Sequence, residues 1–203
     1  MNIVERAKNI LLRPGEEWQV IEKETVSTSA LYTGYIIPLA LIGPVSSIIG
    51  LSVFGMTIPM AGTIRIPLIS ALTHGIVSFV LSLASVYVLA LIVDGLAPTF
   101  SGQKNMNQAL KVTAYSSTAA WLAGIFSLIP ILAILSLLGL YSLYLLYRGL
   151  PVLMKAPQEK AVLYTVIVVI CAIVIFFIMA AISSALIPMS NMNMPMPEYM
   201  PVK

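Results

Sequence analysis

A chain of 203 residues in which 59% are hydrophobic and only 9% are charged lies far from the roughly 25% charged fraction of a soluble domain. The formal net charge is +3; the single cysteine excludes a disulfide framework or thiolate metal cluster within one chain, and one histidine with a single acid at the spans' edge, Asp94, leaves no Ser/His/Asp set, HExxH motif or carboxylate pair to assemble. The composition predicts an all-α, polytopic integral membrane protein, because helices are the spanning element for apolar runs of about 20 residues.

The N-terminal stretch, residues 1–30, is read as cytoplasmic and interfacial, and as retained, since the first long apolar run begins only near Leu31. Ile3, Val4, Ala7, Ile10 and Leu11 recur at helical spacing, with Glu5, Arg6, Lys8 and Asn9 on the other side. Such a helix either lies in the headgroup plane or packs on the cytoplasmic ends of the spans. Pro14 and Gly15 end it, and "EEWQVIEKE" forms a second short helix whose Trp18 suits the interface.

Residues 31–187 hold five expected spans, Leu31–Phe54, Ile66–Val93, Val112–Leu128, Ile131–Tyr147 and Val162–Ile187. In the first, Pro38, Gly43, Pro44 and Gly50 predict kinks. The second carries Ser70, His74, Ser78, Ser82 and Ser85 as one stripe. This stripe reads as a small-residue packing face or as a polar seam in which His74 is the titratable member. The third presents Thr113, Ser117, Ala120, Gly124 and Ser127, a matching small face expected to dock on it. Asp94, at the end of the second span, is expected to pair with Lys104, Lys111 or a cation of the 148–160 loop. Cys171, within the fifth apolar run, reads as a small buried or lipid-facing residue.

Orientation follows from the cations. With the N-terminus in the cytoplasm, Arg6, Lys8, Arg13, Lys23, Lys104, Lys111, Arg148, Lys155 and Lys160 all fall inside, and Arg65 and Lys203 fall outside with the C-terminus.

The stretch "YSLYLLYRGLPVLMKAPQEKAVLYT" concentrates tyrosines and charge before the fifth span. Tyr141, Tyr144 and Tyr147 climb one side of a helix, Gly149 and Pro151 end it, and Arg148, Lys155 and Lys160 make a basic connector before Tyr164. These residues read either as a well-anchored turn or as a docking surface for a protein partner or anionic lipid. The segment 188–203 reads as a disordered Met- and Pro-rich tail. A weaker alternative is that Met189, Met192, Met194, Met196 and Met200 hold Cu(I) through soft thioethers.

Together, "RPGEEWQVIEKE", "FSGQKNMNQALKVTAYSSTAAWLAGI" and the tyrosine-rich stretch resemble a prokaryotic member of the Yip1 family. The resemblance implies a five-helix membrane protein with a cytoplasmic N-terminus and no catalytic residues. Eukaryotic members act in vesicle trafficking and bind Rab-type GTPases and one another. The acidic Asp-Leu-x-Gly-Pro motif typical of them is missing here, so Rab binding does not carry over. The expected function is a non-enzymatic, cofactor-free scaffold or adaptor in the inner membrane. Its expected partners are membrane lipids, other copies of itself and a cytoplasmic protein, with no nucleic acid. The alternative is a transporter or channel for a small solute or metal ion that uses the seam and the tail.

Overall fold

The structure, a computed structural model, describes residues 2–58 and 62–186. The chain opens with two ten-residue helices, α1 (Ile3–Leu12) and α2 (Pro14–Lys23). The Asn2 side chain accepts from the Val4 N–H to cap α1, and Pro14 starts α2 at the position where its missing N–H costs nothing. They fold against each other and onto the bundle, burying Arg6, Ala7 and Ile10 from α1 and Glu17, Trp18 and Ile21 from α2. Two expectations change here. Arg6 points inward rather than lying on the polar side, and Trp18 is fully buried rather than interfacial. Each has a partner inside that the local pattern does not reveal.

Helix α3 (Thr28–Phe54) starts at Ser27, whose hydroxyl accepts from the Ala30 N–H. Two π-helical turns, Tyr32–Ile36 and Gly50–Phe54, interrupt it. The first precedes Pro38, which cannot donate to the ladder and crowds the preceding turn, so the helix widens there. The second lies where Gly50 meets the backbone of residues 127 and 128, and an added Cβ would clash with the Ser127 carbonyl. A short antiparallel hairpin, β1 (Met56–Ile58) and β2 (Gly62–Ile64), links α3 to the next helix, with Thr57 opposite Thr63.

Helix α4 (Leu68–Leu96) covers 29 residues, roughly 43 Å at the α-helical rise, and tightens to a 3₁₀ turn at Ala97–Phe100 around Pro98. Helix α5 (Met106–Ser116) is capped by Asn105 and is the most enclosed element, buried at every position from Ala109 to Ser116. It breaks at Ser117. Helix α6 (Thr118–Ala123) continues into a 3₁₀ stretch, Gly124–Leu128. A second 3₁₀ stretch, Pro130–Leu140, runs into α7 (Tyr141–Leu153), and α8 (Gln158–Leu186) closes the bundle.

Among the described residues four helices are long and apolar enough to cross a membrane: Thr28–Phe54, Leu68–Phe100, Ile131–Leu153 and Gln158–Ala185. The third expected span, Val112–Leu128, is helical but divided, and four hydroxyls crowded into six residues give the reason. Thr113 donates to the Ala109 carbonyl at 2.9 Å, Ser117 to Thr113 at 2.8 Å and Thr118 to Tyr115 at 2.7 Å, while Ser116 bonds back to Val112. Side-chain hydroxyls that compete for these carbonyls bend a helix. The lipid-facing girdle is aliphatic and aromatic, with Ile69, Ile76, Ile131, Ile134, Ile170 and Phe176 all exposed. Such a surface is stable only in hydrocarbon.

Candidate functional site

Charge gathers at the end of the bundle where α1 and α2 dock. Lys111, near the start of α5, is 1% exposed. Its Nζ donates to the carbonyls of Ile21 (2.6 Å), Glu24 (2.9 Å) and Glu22 (3.4 Å). These groups sit at the C-terminal end of α2, where carbonyls lack intrahelical partners and the helix dipole is negative. Burial pulls the Lys111 pKa below its usual value, only partly offset by Glu24 and Glu22.

Arg6 closes the other side. It donates to Glu17 at 2.5 Å and pairs with Glu24, and its guanidinium lies 5.5 Å from the centre of the Tyr115 ring. Burial works against its charge, but the Glu24 bond and the charges around it win, so its pKa rises. Arg6 and Glu17 are both buried, so each depends on the other for compensation. Trp18 fills the centre, edge-on to Tyr115 at 6.5 Å. It rests on Gly149 of α7, where an added Cβ would approach Trp18 Cζ2 at 2.8 Å and Val112 Cγ2 at 2.7 Å. Glycine is required there because two elements touch through its missing side chain.

The expected docking residues divide into two groups. Gly149, Pro151 and Tyr164 are buried, the last stacked on Phe100 at 4.6 Å with its hydroxyl donating to the Val93 carbonyl. Tyr141 donates to the Leu11 carbonyl at 3.0 Å, Lys155 pairs with Glu22, and Lys160 donates to Ser101 Oγ at 2.8 Å. The Lys155 pair is solvent-exposed and contributes about 0–1 kcal/mol. Much of the tyrosine-rich stretch therefore anchors α1, α2 and the turn after α4. Tyr144 and Arg148 remain exposed, with the guanidinium 6.0 Å from the Tyr144 ring centre, and Tyr147 is half-buried beside them.

Ser70, His74, Ser78, Ser82 and Ser85 share one side of α4 but line open volume instead of a tight helix contact. One cavity of about 590 Å³ lies between α4, α5, α6 and α8, and its wall includes His74, Ser78, Ser82 and Ser85. A second, of about 430 Å³, lies toward α3 and takes in Ser70, His74, Ser78 and Ser82. The matching small face is divided between them, with Thr113 and Ser117 on the first cavity and Ala120, Gly124 and Ser127 on the second. Gly124 packs on Gly43 of α3, where an added Cβ would sit 2.8 Å from the Gly43 Cα. Asp94 differs from expectation as well. It takes part in none of the ion pairs among the described residues, and its Oδ1 is buried without a partner. Lys111 is committed to α2, and Lys160 to Ser101.

The family model for the Yip1 domain matches residues 8–181. The chain belongs to the Yip1 family. Searches of curated proteins and of solved structures returned no match. The matched stretch of this Yip1-domain protein begins at Lys8 and so takes in Glu17, Glu24 and Lys111, together with Gly149, on which Trp18 packs. Arg6 lies just before it. Among the described residues no group of three or more His, Cys, Asp or Glu side chains could hold a metal. Met189, Met192, Met194, Met196 and Met200 lie outside the described residues.

Sequence reasoning did not single out Arg6, Glu17, Glu24 and Lys111 as a unit. One signal for Lys111 was present, since Ala109, Leu110 and Val112 flank it and a cation in that setting needs internal partners. Its partners lie about 90 residues earlier in the chain, and no periodicity reports that distance.

Proposed function

We propose that this Yip1-domain protein is a non-enzymatic scaffold that gathers protein or lipid partners at the cytoplasmic face of a prokaryotic inner membrane. Its N-terminus is cytoplasmic and its C-terminus lies outside. The reading is supported by one asymmetry. The α1–α2 pair, the start of α5, the turn after α4 and the α7–α8 connector meet at one end of the bundle through Arg6, Lys111, Lys155 and the bond from Lys160 to Ser101. Exposed Lys8, Arg13, Lys23, Lys104 and Arg148 belong to the same end, and the long helix faces away from it are aliphatic. A positive surface of this kind attracts anionic headgroups at about 1 kcal/mol per cation. Arg148 over Tyr144 adds a planar, aromatic contact suited to a protein partner. The chemistry of this end is recognition. It brings together cations, tyrosines and carbonyls, and offers no nucleophile beside a base.

The test is site-specific photocrosslinking in native membranes, with a photoreactive residue at Tyr144 or Arg148 and a control at lipid-facing Leu137. The scaffold reading expects a discrete protein or homodimer adduct from the first two positions, lost on adding Lys8→Glu and Lys104→Glu. Identical lipid-only adducts from all three positions would refute it.

A further inference from the structure

The cavity between α4, α5, α6 and α8 is within the roughly 300–1,000 Å³ range of small-molecule sites. Its wall follows α4 from His74 to Leu89, roughly 22 Å at the α-helical rise. Leu81, Val86, Trp121, Ile175, Phe176 and Met179 make most of that wall apolar. The space is long, greasy and free of Asp, Glu, Lys and Arg.

Most hydroxyls on the wall are already committed as donors. Ser82 donates to the Phe79 carbonyl, Ser85 to Leu81, Thr113 to Ala109, Ser117 to Thr113 and Ser184 to Ala181. Ser183 differs. It is 9% exposed, and its hydroxyl has no partner among the described residues. His74 and Ser78 are joined only by a long, weak hydrogen bond, Nδ1 to Oγ at 3.5 Å, and His74 is exposed, so both keep capacity for a further partner.

These free groups share one end of the cavity. The Tyr164 hydroxyl on the Val93 carbonyl ties the start of α8 to the end of α4. Equal steps from that bond, back along α4 and forward along α8, reach His74 and Ser183. A buried donor without an acceptor is costly, and so is a charge without a counter-charge. The site therefore calls for an uncharged group that accepts hydrogen bonds, carried on a long apolar chain.

We propose that this cavity binds a neutral glycerolipid of the diacylglycerol class. Its ester carbonyls and hydroxyl meet Ser183, His74 and Ser78, and one acyl chain runs along α4 toward Leu89. A phosphate-bearing headgroup is rejected because no cation lines the cavity. The inference rests on this cavity alone and is independent of the scaffold reading.

The full-length protein is placed in phosphatidylcholine nanodiscs doped with a diazirine-bearing diacylglycerol or, separately, a diazirine-bearing phosphatidylglycerol. It is then irradiated and mapped by peptide mass spectrometry. The expected result is diacylglycerol labelling on α4 and α8 peptides at least fivefold above phosphatidylglycerol, displaced by unlabelled dioleoylglycerol. Ala172→Trp, which fills the wall, should abolish it. Ser183→Ala, close to isosteric and folded by thermal shift, should reduce it several-fold. Equal labelling by both probes, or labelling that survives competitor and Ser183→Ala unchanged, would overturn the proposal.

Discussion

Arg6 and Glu17 carry the sharpest prediction at the scale of single residues. Both are buried, so Arg6→Met strands a carboxylate away from water and is expected to cost about 3–5 kcal/mol in docking the N-terminal helices. Arg6→Met combined with Glu17→Met should recover most of that loss, because an apolar pair of similar volume needs no compensation. Trp18 provides the readout in a Trp121→Phe background. Its emission should shift red and become quenchable by acrylamide at lower denaturant in the single variant, and return toward wild type in the double. A double variant as weak as the single would mean that the pair is not the origin of the effect. The individual residues were legible in the sequence to different degrees. Trp18 stood out as an aromatic, but the neighbour that hides it, Gly149, is identified only by the space its missing Cβ leaves.

Element contacts turn on glycines that look alike in the sequence and act oppositely. Gly95, near the end of α4, has nothing within 4 Å of an added Cβ. Gly95→Ala is therefore expected to stabilise by about 0.5–1 kcal/mol through helix propensity alone. Gly149→Ala in α7 should destabilise, since the added carbon meets the buried Trp18 ring and Val112, and should separate α2 from α7. Thermal unfolding in detergent, scored alongside Trp18 emission, checks both. Two shifts of the same sign would contradict the packing argument. The helices themselves were largely legible, because apolar runs long enough to span must satisfy their backbone internally. The break in the expected 112–128 span was not. Its cause lies in which hydroxyls turn back onto carbonyls, and Ser117 reads equally well as a packing residue.

For the whole molecule, the arrangement predicts that the chain passes between the two faces five times, with α5 and α6 together making the third passage. The shared end of α1, α2 and the α7–α8 connector requires residues 8, 104 and 159 to react from the same side, which is the cytoplasmic side in the proposed orientation. In a Cys171→Ser background, single cysteines at Lys8, Lys104 and Glu159 should label with a membrane-impermeant maleimide only from the cytoplasmic side. A cysteine at Arg65 should label only from outside. Labelling of Lys104→Cys and Glu159→Cys from opposite sides would remove the third passage.

By itself, the sequence determined the solvent and the secondary structure of this protein, since a chain with 9% charge and apolar runs of this length can be stable only as helices in lipid. It also carried the family, through the segments around residues 13–24, 100–125 and 141–165. The tertiary structure alone decided which charges are surface anchors and which are internal fasteners, and whether the α4 stripe meets a helix or a cavity. The physical reason is the same in both cases. The cost of a buried charge or hydroxyl is set by whatever stands within about 3 Å of it, and for Lys111 that neighbour is the end of a helix from the other half of the chain.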